Sequence, residues 1–279
     1  MSVFEELRIS LSRPDLPEML KDIDHKEVVE SRFEFLERAF GSRLDFLYQG
    51  RKFSYIPAER VGNVFSGYFG REKHESVHAG PDDQFRLTDL VRWDLSFFAI
   101  DLSETRQIAF MQRNDNVGSP RPVLECFFDD LGQIRGMRNW QAHVRYISDS
   151  ATYWDAARRY EGRITKLAFT FIPPNALRAE ERVMDFIRDA SRNAQATLVK
   201  HEYENKQGRL DPNGELIEGS VKVATAGGGD AVIKVGKRMV YSTKTQKMTT
   251  DIPEDEIPEP TDKPKIRAII RRLFERFND

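Results

Sequence analysis

The sequence predicts an α+β fold with mixed, largely antiparallel sheets, packed helices and an amphipathic helix at the C-terminus. Three observations support this class. Segments that alternate apolar and polar residues, separated by short turns, fill the middle of the chain. Segments with helical spacing stand between and after them. Of the 279 residues, 39% are hydrophobic and 11% aromatic, which is enough to build a core.

The first forty residues are predicted to be helical. Gly41 then suits the end of the helix, because glycine is the commonest residue just past a helix C-terminus. Residues 42–61 alternate and turn at Gln49-Gly50, so they predict a β-hairpin. The glycine-containing segment 62–85 is predicted to be a loop or a lid. The helical repeat is carried by Val28, Val29, Phe33, Leu36 and Phe40.

The middle of the chain gives the clearest alternation of strands and helices. Period-2 patterns mark the strands, and Gly132 and Gly162 mark the ends of two helices. In chain order we expect strands over 93–103 and 106–113, a helix over 120–132, a strand over 139–149, a helix over 151–162 and a strand over 163–172.

The remainder continues the pattern. Asn175 is a suitable N-cap for an amphipathic helix over 176–194 that carries Leu177, Val183, Phe186 and Ile187 on one stripe. Strands are expected over 196–205, 219–226 and 231–243, the last two on either side of a glycine turn at 227–229. Helical spacing then returns in the final segment, at Ile266, Ile269, Ile270, Leu273, Phe274 and Phe277.

These elements suggest four regions. Residues 1–92 form an N-terminal helical and hairpin region, and 93–250 form an α/β core with basic strands. Residues 251–264 contain prolines and many acids, so they predict an acidic linker. Residues 265–279 form the C-terminal amphipathic helix.

Composition excludes several classes of protein. The net charge of −2 excludes a globally basic nucleic-acid binder, although a locally basic face remains open. The single cysteine, Cys126, excludes an intrachain disulfide and a cysteine metal cluster. No apolar run approaches the ~20 residues of a membrane helix, and the mean hydropathy is −0.57. We therefore expect a cytoplasmic protein without membrane insertion.

The motifs of common enzymes are incomplete in this chain. After Gly229, six residues precede Gly236-Lys237, where a phosphate-binding P-loop needs four, so 227–229 reads as a turn. Residues 74–78 read HESVH and match the zinc-hydrolase pattern, with His74 and His78 as ligands, but the flanking glycines and proline do not suit its helix. Glu218 and Lys222 resemble a nuclease pair at the wrong spacing. We therefore expect no catalytic residues, no metal and no cofactor.

Basic residues cluster instead. Residues 233–250 contain five Lys/Arg and no acid, and a second group follows the aromatic pair at 153–154. Cations near a strand pair can contact phosphates, whereas lysines on strand edges also simply prevent aggregation. The C-terminal helix carries a third group, at Arg267, Arg271, Arg272 and Arg276. The predicted nucleic-acid-binding residues are Arg158, Arg159, Arg163, Lys166, Lys234, Lys237, Arg238, Lys244 and Lys247.

One layout resembles a known family. Residues 93–209 are similar to the RexA-like prophage exclusion proteins. The similarity is carried by three segments in order: FFAIDLSETRQIAFMQRNDNVGSPRPVLECFFDDL, YEGRITKLAFTFIPPN and ATLVKHEYENKQGRL. That resemblance implies an α/β fold, a homodimer, and binding to double-stranded DNA of any sequence in defence against phage. It carries over only the basic character of Arg163 and Lys166.

The leading hypothesis is therefore a non-enzymatic, homodimeric protein that binds double-stranded DNA in phage defence. Two alternatives stay open at this point. One is a metal-dependent nuclease or hydrolase, and the other is a module that binds a partner protein through its C-terminal helix.

Overall fold

The computed structural model describes residues 1–12, 30–103, 106–134, 140–171, 183, 185, 187, 196 and 198–277. Within these residues the chain forms two antiparallel sheets and five α-helices, which confirms the predicted α+β class. The strands are β1 (Ser2–Ser12), β2 (Leu44–Tyr48), β3 (Arg51–Val61), β4 (Val64–His78), β5 (Leu87–Asp101), β6 (Ile108–Gln112), β7 (Gln141–Tyr146), β8 (Lys166–Phe171), β9 (Val199–Glu204), β10 (Gly229–Val235), β11 (Arg238–Ser242) and β12 (Thr249–Ile252). The helices are α1 (Arg32–Gly41), α2 (Pro120–Gln133), α3 (Ser150–Arg159), α4 (Glu215–Val223) and α5 (Lys263–Phe274).

The first sheet has the order β12-β1-β6-β5-β4-β3-β2. Strand β12 pairs with residues 2–5 of β1, and β7 pairs with residues 7–12 of the same strand. Strand β1 lies inside this sheet and is buried on both faces. The prediction that the first forty residues are helical is therefore wrong for residues 2–12. Their period-2 pattern, with Leu7, Ile9 and Leu11 in the core, is that of a strand.

Helix α1 and the first hairpin agree with the sequence. Ser31 and Glu34 form a reciprocal capping box at the start of α1, which ends at Gly41. Strands β2 and β3 turn at Gln49-Gly50, both with positive φ. Val28 and Val29, part of the predicted helical repeat, lie outside the described residues.

The two faces of the first sheet are covered by helices. Helices α1 and α2 bury one face around stacked aromatic rings, among them Phe40, Phe98 and Phe127. Helix α5 buries the other face, where the rings of Phe110 and Phe274 lie 5.0 Å apart. This arrangement makes the C-terminal helix part of the core.

Residues 62–85, predicted as a loop or lid, contain β4 instead. The glycines that suggested a loop are needed for close packing within the sheet. A Cβ on Gly67 would lie 2.5 Å from the ring of Tyr55, and one on Gly70 would lie 3.0 Å from Leu95. Glycine inside a strand here marks a crowded face and not a turn.

The second sheet has the order β11-β10-β8-β9. Helices α3 and α4 pack on one face around Tyr153, Phe169 and Val221. Residues 219–226, predicted as a strand, instead contain the end of α4, because Ile217, Val221 and Ala224 follow helical spacing toward this core. Most of the predicted helix over 176–194 lies outside the described residues, although Val183 and Ile187 are helical and buried.

The region between residues 251 and 264, predicted as a linker, is structured. It begins with the last two residues of β12 and continues through a 3-10 turn, Glu254–Glu256, and the Tyr68 hydroxyl donates a hydrogen bond to the Pro258 carbonyl at 2.9 Å.

The region boundary predicted between residues 92 and 93 falls inside β5. None of the helices described is long and apolar enough to cross a membrane.

Candidate functional site

Thr165 joins three strand ends in the second sheet. Its backbone N–H donates to the Lys234 carbonyl at 2.9 Å, and its carbonyl accepts from the backbone N–H of Asn205 at 2.9 Å. Its hydroxyl lies 3.1 Å from the Lys234 carbonyl and accepts from the Gly236 N–H at 2.8 Å. One threonine thus fixes the start of β8, the end of β9 and the turn between β10 and β11.

Basic side chains converge at these strand ends. The register places Lys166 opposite Lys234 on β10 and opposite Glu204 on β9. Lys237 and Arg238 follow at the tip of the β10–β11 hairpin and are exposed. We call residues 161–166, 202–209 and 234–238 together the basic end of the second sheet.

The basic end carries a net charge of +4, with seven Lys/Arg and three Asp/Glu, in a chain whose net charge is −2. Among the described residues, no ion pair holds Lys234, Lys237 or Arg238. Four strands spaced about 4.8 Å apart give this end a width of about 15 Å. Positive charge is therefore concentrated over a patch that is comparable in width to a DNA groove.

Lys166 differs from its neighbours because it is paired. Its ammonium group contacts the Glu202 carboxylate, which also lies 2.6 Å from Lys200. These two contacts lower the pKa of Glu202 to about 2, so the carboxylate is charged at neutral pH. Lys166 therefore adds less to the field of the basic end than Lys234 does.

The turn that follows α3 holds Arg163 at the same end. The Arg163 guanidinium donates to the Arg159 carbonyl at 3.1 Å and lies over the Tyr160 ring, 5.3 Å from its centroid. Carbonyls at a helix C-terminus attract a cation, and a ring face does the same. Arg158 and Arg159 lie in the last turn of α3 and are exposed, and the Arg158 guanidinium is paired with Asp155.

Sequence reasoning missed two members of the basic end, Lys206 and Arg209. Both are exposed and follow β9. Arg209 forms a parallel bridge with Ile164, and Gly208 packs so closely that a Cβ would lie 3.2 Å from the Arg163 backbone. In the sequence these residues belong to a turn about forty positions from Arg163, and only the antiparallel pairing of β8 with β9 brings them together.

Two predicted residues, Lys244 and Lys247, lie away from the basic end. Lys244 is 3.6 Å from Asp230, at the opposite end of β10 about 20 Å away. Lys247 contacts the buried Glu5 carboxylate and lies over the Tyr146 ring. Lys244 therefore pairs within the second sheet, and Lys247 connects the segment after β11 to β1 of the first sheet.

The glycine triplet follows α4 and leads directly into β10. Gly227 has a φ of +81°, and a Cβ there would lie 2.6 Å from the Arg8 side chain. The predicted turn between two strands is thus a turn between a helix and a strand. Crowding against β1 explains Gly227, and crowding against β8 explains Gly229, where a Cβ would clash with the Thr170 carbonyl oxygen.

The candidate metal and nuclease residues do not form the expected sites. The HESVH residues lie on β4, so His74 and His78 are separated by about 13 Å of strand instead of one helical turn. Their rings contact Glu72 and the Phe85 carbonyl respectively. Glu218 and Lys222 lie on α4 and not on a strand. In the part of the chain described, no group of three or more His, Cys, Asp or Glu is placed to hold a metal.

Comparisons with family models, curated proteins and solved structures give no match to this chain.

Proposed function

We propose that this chain binds double-stranded DNA without sequence preference, through the basic end of the second sheet. The observation that supports this proposal most is the convergence of Arg163, Arg209, Lys234, Lys237 and Arg238 from distant parts of the chain. Phosphates are contacted by such cations, and contacts of this kind carry no sequence information.

The shape of the basic end favours backbone contacts over reading of bases. Its cations come from strand ends, a hairpin tip and the turns that follow α3 and β9, which present several points of charge to a duplex. B-DNA carries one charge per about 1.7 Å of axis, so a patch about 15 Å wide faces several phosphates at once. The proposed role in phage defence comes from the resemblance of residues 93–209 to the RexA-like proteins.

The alternatives have less support. The apolar side of α5, including Ile266, Ile270 and Leu273, is covered by the chain's own sheet. A partner protein could bind this side of α5 only after α5 had left the core of the first sheet. The residues that suggested a metal-dependent enzyme lie on elements of the wrong type, as described above.

Salt dependence tests the proposal. We expect the logarithm of the affinity for a duplex of about 30 bp to fall with the logarithm of salt concentration, with a slope of about −4. Fluorescence anisotropy between about 50 and 300 mM salt measures it. Duplexes of unrelated sequence should bind within about threefold of one another, since phosphate contacts carry no base information. A slope near zero, or no binding at the lowest salt, would contradict the proposal.

A further inference from the structure

Strands β4 and β5 extend beyond the first sheet as a two-stranded arm. Strand β3 leaves β4 at the pair Phe53–Arg71, and β6 reaches β5 only as far as Phe98. Residues 72–78 and 87–93 pair only with each other in the described chain and extend about 25 Å. A two-stranded ribbon is only marginally stable in water on its own, so a neighbour on this arm would stabilise it.

The arm exposes large apolar side chains on β5. Leu87 is 58% exposed, Leu90 50%, Val91 56% and Trp93 37%. Single exposed apolar residues are ordinary on protein surfaces. Because side chains alternate along a strand, Leu87, Val91 and Trp93 form an apolar patch on one face of the arm, and Leu90 lies on the other face.

The charge of the arm argues against nucleic acid as the neighbour. Residues 72–94 contain three Lys/Arg and six Asp/Glu, a net charge of −3 with neutral histidines. Phosphates would be repelled. The arm therefore suits a protein surface, independently of the nucleic-acid function proposed for the basic end.

The edge of β5 at residues 87–94 is open. Strand β6 does not reach it, and no strand among the described residues pairs with it. An unpaired edge presents free backbone N–H and C=O groups that can pair with another strand. The outer edge of β4 is less suitable, because Val77 is the one apolar residue in 72–78, whereas β5 presents four large apolar side chains over 87–94.

We propose that residues 87–94 of β5 pair with the same segment of a second copy of this chain, antiparallel and centred on Leu90. A two-fold axis perpendicular to an antiparallel pair places one residue opposite its own copy. With Leu90 on the axis, Leu87 lies opposite Trp93, and Arg86 lies opposite Asp94. Moving the axis to Val91 would keep an apolar pair of Leu87 with Leu95. It would also place Asp89 opposite Trp93 and Leu90 opposite Arg92, and it would lose the pairing of Arg86 with Asp94. The Leu90 register has one kind of mismatched pair, Asp89 with Val91, whereas the Val91 register has two. The Leu90 register is therefore the better match, since apolar and opposite-charge cross-strand pairs stabilise a sheet.

The first test compares two lysine variants. Sedimentation of the full chain over a range of concentrations should show a dimer whose Kd rises about 100-fold in Leu90→Lys, because the axis carries the lost apolar contact twice. Leu47→Lys is the matched control. Leu47 is 64% exposed on another edge of the same sheet, but its backbone N–H and carbonyl are occupied by Asp130 and Cys126. A monomer at every concentration, or equal loss in both variants, would overturn the proposal.

The second test reads the register directly and does not depend on the stability of the lysine variant. In a Cys126→Ser background, Leu90→Cys places two thiols on the axis, with Cα atoms about 5 Å apart, a distance that a disulfide spans. Leu87→Cys places its two thiols about 20 Å apart. Mild oxidation should therefore cross-link the first variant and leave the second uncross-linked. The reverse pattern, or equal cross-linking, would overturn the register.

Discussion

Replacing Lys234, Lys237 and Arg238 together with glutamine is expected to weaken binding to double-stranded DNA by about 100-fold. The three side chains occupy the end of β10 and the tip of its hairpin, and no ion pair among the described residues holds them. Removing them changes the net charge of the basic end from +4 to +1. Each phosphate contact releases counterions when DNA binds. Losing three contacts should therefore make the slope of log affinity against log salt concentration less steep by about 2.7.

A matched variant separates a local site from a general effect of charge. Lys265, Arg271 and Arg272 lie on α5 and are exposed. Their replacement by glutamine lowers the charge of the chain by the same three units. We expect the affinity of this control to change by less than about threefold, because exposed charges more than about 10 Å apart are largely screened. Equal losses in the two variants would show that the basic end is not the site.

Replacing Phe127 with alanine is expected to lower the free energy of unfolding by about 3–5 kcal/mol. Phe127 is fully buried, and its ring centroid lies between 5.3 and 5.9 Å from those of Phe40, Phe46, Tyr55, Phe69 and Phe128. The change leaves a cavity where α1, α2 and the first sheet meet. A loss of this size is a large part of the 5–15 kcal/mol that typically stabilises a domain.

Urea unfolding of the two proteins measures this loss, provided that the slopes with denaturant agree. Phe85→Ala is the control, because Phe85 is 63% exposed at the tip of the arm and should change stability by less than about 0.5 kcal/mol. Phe127→Leu keeps most of the volume and should lose less than the alanine variant. A loss below about 1 kcal/mol in Phe127→Ala would mean that this aromatic cluster is not the centre of the core.

Local signals in the sequence predicted those elements that local chemistry decides. Gly41 indicated the end of α1, and Gln49-Gly50 indicated the turn of a hairpin. The helical spacing of the apolar residues in the last segment predicted α5 in the same way. Such features depend on residues within a few positions of one another, so a single sequence contains them.

The failures arose where tertiary packing overrides local preference. Gly67 and Gly70 indicated a loop, yet they allow Tyr55 and Leu95 to approach the backbone of β4. The valines around residue 221 indicated a strand, yet the second core requires a helix there.

The candidate site shows the same limit. Each basic residue of the basic end is visible in the sequence, but its position beside the others depends on strand register. Thr165 and the antiparallel pairing of β8 bring Lys206 and Arg209 to Arg163. Lys244 lies instead beside Asp230 at the other end of β10, and Lys247 lies beside Glu5 on β1 of the first sheet. Strand order and pairing partners are long-range properties that composition does not encode.

Lysine footprinting tests the central claim most directly. The chain is acetylated with and without a DNA duplex, and the rate at each lysine is measured by mass spectrometry. We predict that DNA slows modification of Lys206, Lys234 and Lys237 by about tenfold or more, while the rates at Lys52 and Lys265, on the first sheet and α5, stay unchanged. Equal protection at all five lysines, or protection confined to the last two, would contradict binding at the basic end.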